Sequence, residues 1–171
     1  MNKLKELHHM GFDISWKLIL MGLQSQKTEA WHLSRKEIVE YLMTQLEGSE
    51  NQTREKQVIS LICFAEDDEA FGRKLQCLAE DDPSDVALQK RKWSAYFLKQ
   101  ILDTNIQDPV QGLLELLFFW CNIGDRARCP HDLMEEIPPE EFFTDSNYRS
   151  VLSQNRDWLQ REVKSIISKE K

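Results

Sequence analysis

The sequence predicts an all-α fold, and three observations carry that expectation. Gly (6) and Pro (5) are scarce over 171 residues. Leu occurs 21 times while Val and Thr together occur 11 times; Leu, Glu, Lys and Gln suit helices, whereas strands favour β-branched residues. Apolar residues also recur at helical spacing in one segment after another. The expected architecture is a compact bundle of six to eight helices stacked as αα-hairpins. It forms a single helical domain over residues 1–171, because the connections are mostly short and the length suits one domain.

A first helix is expected within Lys3–His9. A second runs from Ser15 to about Gln24, with Trp16, Leu18 and Met21 facing inward. Ser34 and Glu37 form a capping box, in which the serine accepts from the third N–H and the glutamate reaches back to the cap. The helix they open carries Ile38, Val39, Leu42 and Leu46 on one stripe and ends at Gly48, ahead of a short Ser49–Gln52 linker. Next comes about Thr53–Ala65, with Val58, Leu61, Ile62 and Ala65 at helical spacing. Asp68–Glu80 follows, where Phe71, Leu75, Leu78 and Ala79 form a complete amphipathic row. Asp82-Pro83 reads as a turn, with the proline at the first position of a long helix, about Ser84–Leu102. That helix places Val86, Trp93, Phe97 and Ile101 in one row, with Leu98 and Leu102 beside it. Asp108-Pro109 opens a helix to about Asn122 that is apolar nearly all round, so it is expected at the buried centre. Cys129 to Phe143 is broken by prolines and holds one short helical turn. The last helix, about Ser146–Ser168, carries Val151, Leu152, Leu159, Val163 and Ile166.

Charge is distributed unevenly. The net charge is −7, and the window Glu66–Asp85 supplies six of those charges: eight acids against Arg73 and Lys74. The acids are Glu66, Asp67, Asp68, Glu69, Glu80, Asp81, Asp82 and Asp85. Such a face repels nucleic acid and anionic membranes and steers a basic protein toward it. Helix capping accounts for part of the pattern, since Asp67, Asp68, Asp82 and Asp85 stand near helix N-termini. Glu80 and Asp81 stand at a C-terminus, where negative charge is unfavourable and capping gives no reason for them. A calcium loop does not fit, because Glu66–Glu69 lacks the glycine and the alternating oxygen ligands.

The longest uninterrupted apolar run, Leu116–Cys121, is far short of a membrane span, and the N-terminus has no signal-like apolar segment. A cytoplasmic location is expected, with Cys63, Cys77, Cys121 and Cys129 as reduced thiols. Cys63 and Cys77 sit within helical patterns as small apolar residues. Cys129 and His131, with Cys121 nearby, are the only thiol–imidazole cluster. Arg126 and Arg128 would lower the thiol pKa of a nucleophilic pair, but two residues apart in an extended loop point away from each other. Zinc would need a fourth ligand from far along the chain. Neither a metal nor a cofactor is expected. Lys90-Arg91-Lys92 is a weak phosphate-binding signal in so acidic a chain. Glu135-Glu136 and Glu140-Glu141 flank Ile137-Pro138-Pro139 as a charged loop, with Phe142 and Phe143 docked on the core.

Three stretches together carry a family resemblance: Phe12-Asp13-Ile14-Ser15-Trp16-Lys17, Lys92-Trp93-Ser94-Ala95-Tyr96-Phe97-Leu98, and Pro130-His131-Asp132-Leu133-Met134 leading to Ile137-Pro138-Pro139. In that order they resemble the bacterial domain of unknown function 2247. The resemblance implies a small bacterial cytoplasmic protein. By analogy of size, acidity and helical content, it looks like the immunity proteins of toxin systems.

The expected function is a non-enzymatic protein-binding module of immunity or antitoxin type, occluding a basic toxin or nuclease through the acidic helical face. Neither nucleic acid nor a membrane is an expected partner, and the chain is expected to be a monomer or weak homodimer. The alternatives are a small hydrolase or transferase using the Cys129/His131 neighbourhood, and a structural subunit of a larger assembly.

Overall fold

A computed structural model describes residues 2–26, 31–46, 52–133 and 137–170. Among them the regular elements are nine α-helices and one 3-10 turn. The helices are α1 (Lys3–His9), α2 (Trp16–Gln24), α3 (Arg35–Leu46), α4 (Gln52–Ile62), α5 (Asp68–Glu80), α6 (Val86–Asp103), α7 (Pro109–Asn122), α8 (Pro139–Phe142) and α9 (Asp145–Lys169). The 3-10 turn is Arg126–Arg128. The all-α class expected from composition is the class observed. Gly48, the Ser49–Asn51 part of the expected linker, and Glu135 and Glu136 lie outside the described residues.

The chain forms two compact units, Met1–Lys90 and Arg91–Lys171, and α6 runs from the first into the second. In the first unit α1 packs on α3, α3 on α4, α4 on α5, and α5 on α2. Local sequence explains the ends of these helices. After α1, Gly11 adopts φ 88°, Gly11 N–H donates to the His8 carbonyl at 2.9 Å, and Phe12 N–H donates to Leu7 at 3.3 Å. These two bonds make a Schellman cap, which requires the left-handed conformation that glycine adopts without strain. The capping box of α3 forms as expected: Glu37 N–H donates to Ser34 Oγ at 3.2 Å and Ser34 N–H to Glu37 Oε2 at 3.0 Å.

In the second unit α7 packs on α9. The approach is close because Gly112 faces Tyr148, where a Cβ would lie 2.3 Å from the ring. Tyr148 is held there by donating to the Ile106 carbonyl at 2.8 Å. The buried row of α9 is Tyr148, Val151, Asn155, Glu162 and Ile166, so two of its five members are polar.

Several local expectations are corrected. Pro83 is not the first residue of α6, which begins three residues later because Asp82 and Ser84 form a turn of their own. Val86 is exposed, and the buried row of α6 starts at Gln89. Ile19, not Met21, joins Trp16 and Leu18 in the core. Cys63 and Cys77 are exposed rather than interior: α4 ends at Ile62, and Cys77 lies on the outer face of α5. Most consequential, α7 is not buried all round. Gly112, Leu113, Leu116, Phe119 and Trp120 face inward, while Val110 (42%), Leu114 (47%) and Phe118 (59%) stand in solvent.

Candidate functional site

The acidic window divides between the two ends of α5, a helix of 13 residues and so about 20 Å long. Its acids therefore form two groups rather than one continuous cluster. At the first end the chain leaves α4 through a corner, Cys63–Asp67, tied by Phe64 N–H to Leu61 (3.0 Å) and Asp67 N–H to Phe64 (3.0 Å). Asp67 then caps α5, accepting from Glu69 N–H at 3.0 Å and Ala70 N–H at 2.9 Å. Asp68 pairs with Arg35 of α3 at 2.6 Å, and Glu69 pairs with Arg73 one turn on. All four acids, Glu66 to Glu69, are exposed, and so is the Phe64 ring between them and α4.

At the other end the arrangement is different. Glu80 accepts from Gln76 Nε2 at 2.9 Å, and Asp81 is exposed at the C-cap of α5. Asp85 accepts from Ala87 N–H at 3.0 Å at the start of α6. Asp82 is only 9% exposed, so it is removed from any outward-facing set. It accepts from Lys17 N–H at 3.1 Å and Ser84 N–H at 2.9 Å, which places a carboxylate against the first turn of α2 beside the Ser15 cap. Burial works to raise the Asp82 pKa, but the N–H groups of Ser84, Lys17 and Trp16 outweigh it and hold the carboxyl below its usual range. Trp16 completes this seat: its Nε1–H donates to Gln57 at 3.0 Å, and the Arg54 guanidinium lies 3.6 Å over its ring.

The Cys129–His131 loop is not extended. The 3-10 turn and Pro130 fold it so that Cys129 Sγ lies 3.5 Å from His131 Nδ1 and 3.7 Å from Nε2. The pair lines an open depression of about 750 Å³ with Asp125, Arg126 and Leu133. What this pair can do is set by Asn155. The Trp120 indole N–H is a donor only, and it reaches Asn155 Oδ1 at 2.8 Å. The Asn155 amide nitrogen therefore faces the Val151 carbonyl (2.7 Å) and His131 Nδ1 (3.1 Å). Nδ1 is thus the acceptor and Nε2 carries the proton. The thiol instead donates to the His131 carbonyl at 3.3 Å. Burial pushes His131 down to about 4, with the Asp132 carboxylate opposing the shift. An imidazole whose acceptor nitrogen is occupied and whose basicity is this low is a poor general base for a thiol at neutral pH. Among the described residues, no three His, Cys, Asp or Glu side chains are grouped to hold a metal ion.

Of the basic trio, Lys90 is exposed while Arg91 and Lys92 are engaged internally. Arg91 donates to buried Glu162 at 2.7 Å and to Ser165 at 3.0 Å, and Lys92 is buried against Glu170. Arg128 joins Glu162 from the 3-10 turn and lies over the Trp158 ring. Burial raises the Glu162 pKa, but its bonds to Arg91 and Arg128 more than reverse the effect, leaving it below the usual range. Sequence reasoning missed Asn155 and Glu162. The signal was present: the spacing from Tyr148 through Val151 to Asn155, then to Glu162 and Ile166, continues the apolar row through both polar positions.

No helix among the described residues is long and apolar enough to cross a membrane. No curated protein and no solved structure matches the chain. A family model does match: residues 4–163 fit the one described as an uncharacterized protein conserved in bacteria, and the chain belongs to this DUF2247 family.

Proposed function

We propose that the chain is a non-enzymatic protein-binding module whose corner between α4 and α5 receives a basic partner. The class that suits this best is an immunity or antitoxin protein that covers a cationic toxin or nuclease. The observation that carries the reading is the exposed Phe64 ring followed, after Ala65, by four exposed carboxylates, Glu66 to Glu69. An aromatic anchor supplies desolvated contact, and the surrounding charge steers the partner and sets its orientation. The ion pairs that Glu69 and Asp68 already make are exposed on the acid side, and such pairs contribute about 0–1 kcal/mol. They exchange for a partner's Lys or Arg at little cost. The bond from Asn155 to His131 Nδ1 supports a non-enzymatic role, because it occupies the ring nitrogen that would take a thiol proton.

The test is capture from bacterial lysate on three baits: the native chain, Phe64→Ser, and Glu66→Lys/Glu69→Lys. The expected result is one basic protein held by the native chain, released as salt rises, and lost from both variants. Loss of a central aromatic anchor is worth about 2 kcal/mol, roughly thirtyfold in affinity. A partner retained equally by all three baits would show that this corner is not the site.

A further inference from the structure

The outer face of α7 is an apolar surface with an acidic surround, and we infer that it docks a basic amphipathic helix of another protein. This goes beyond the α4–α5 corner and shares no residue with it. Val110, Leu114, Leu117 and Cys121 follow a four-three-four spacing, with Phe118 beside the row. That spacing is the seam by which one helix packs along another. From Val110 to Cys121 the row spans about 16 Å, enough for three turns of a partner. Val110, Leu114, Phe118 and Cys121 are exposed and Leu117 half-buried, although the opposite side of the same helix is fully packed. Leaving large apolar side chains in water at consecutive turns is unfavourable by about 25 cal/mol per Å² of apolar area, which contact with a partner recovers.

Charge identifies the occupant. The charged residues on α7 and at its two ends are Asp108, Glu115 and Asp125, all acidic and exposed, ahead of Arg126. Asp108 caps α7 and Asp125 caps the 3-10 turn. Glu115 is exposed on the rim of the row, one turn from Phe118. A second copy of this chain fits poorly, because α7 carries no Lys or Arg to meet Glu115, and laid antiparallel it brings the two carboxylates to the same rim. A helix with apolar residues at three- and four-residue spacing and Lys or Arg at its flanks satisfies both the row and the rim.

A displayed library of 14-residue helical peptides, with apolar residues fixed along one face and all flanking positions random, tests this on the full chain. Peptides selected on the native chain should carry net positive flanks. They should bind Leu114→Ser/Phe118→Ser at least tenfold more weakly, and Glu115→Lys should erase the charge preference. Circular dichroism of each variant checks that the fold persists, as expected for exposed positions. Selected peptides with neutral or acidic flanks, or equal selection on the double variant, would overturn the inference. So would a concentration-dependent dimer of the native chain that Leu114→Ser/Phe118→Ser abolishes, since a second copy would then cover the row.

Discussion

The two ends of the acidic window hold the same kind of side chain and use it differently. At the Glu80–Asp85 end, Asp82 is drawn inside to meet the first turn of α2, and Asp85 meets the first turn of α6. At the Glu66–Glu69 end, Asp67 caps its own helix while Glu66, Asp68 and Glu69 remain at the surface beside an exposed Phe64. The difference lies in which unsatisfied N–H groups come within reach. A helix start delivered by another part of the chain pulls a carboxylate out of solvent, whereas a helix's own start leaves the carboxylate at the rim. Charge density along a sequence therefore does not define a surface until the helix termini that compete for the acids are known.

The strongest way to break this contrast is Asp82→Ala. It removes a charged acceptor from at least two backbone N–H groups and leaves them poorly served at the edge of the core. The expected loss is about 2–3 kcal/mol, read as a lower urea midpoint with unchanged slope. Asp82→Asn, which keeps an acceptor oxygen, should lose less. An unshifted midpoint for the alanine variant would mean that Ser15 alone caps α2.

A pH series sharpens the same contrast. His131 has its folded pKa lowered to about 4 from an ordinary value near 6.5, so the unfolded chain binds the proton first. Its stabilising contribution is complete above about pH 6.5 and is lost as pH falls toward 4. Allowing for the ring's remaining contact with solvent, this amounts to about 2 kcal/mol. The depressed carboxyls Asp82, Glu37 and Glu162 act in the same sense at still lower pH, each contributing above its unfolded pKa and losing that contribution as pH falls through its folded one. His131→Gln should flatten the curve between pH 6.5 and 4 and leave the lower limb intact. A variant with an unchanged upper limb would remove His131 as its source.

Much of the fold was legible in the sequence, for local reasons. Helix starts were placed well where the cap is adjacent in sequence, as with Ser15, the Ser34–Glu37 box, Asp67 and Asp108-Pro109. The errors arose where a distant element decides. Asp82 belongs to α2, 65 residues away, and no local pattern carries that pairing. The apolar wheel of α7 led to an expectation of full burial because hydropathy does not say how many neighbours a helix has. The Cys129–His131 pair was expected to splay; the 3-10 turn and Pro130 fold it together, and Asn155, 24 residues on, holds the ring. The three family stretches prove to be rich in such long-range work. Trp16 and Lys17 form the Asp82 seat, Lys92 is buried against Glu170, and His131 bonds to Asn155. What they supply is packing and long-range polar contact.

The smallest effects test whether the exposed end is free for a partner. Asp67→Ala removes a self-cap with two N–H partners and should cost about 1 kcal/mol, less than the loss at Asp82 because water reaches the vacated groups. Glu66→Lys/Glu69→Lys should move stability by no more than about 0.5 kcal/mol, since Glu66 is exposed and the Glu69–Arg73 pair is a surface contact. The same double variant should slow association with the basic partner and weaken its salt dependence, because rim charges act chiefly on the encounter rate. Stopped-flow association at two ionic strengths separates the outcomes. A large stability loss without a change in rate would place these acids with Asp82 as parts of the fold, and the distinction between the two ends would disappear.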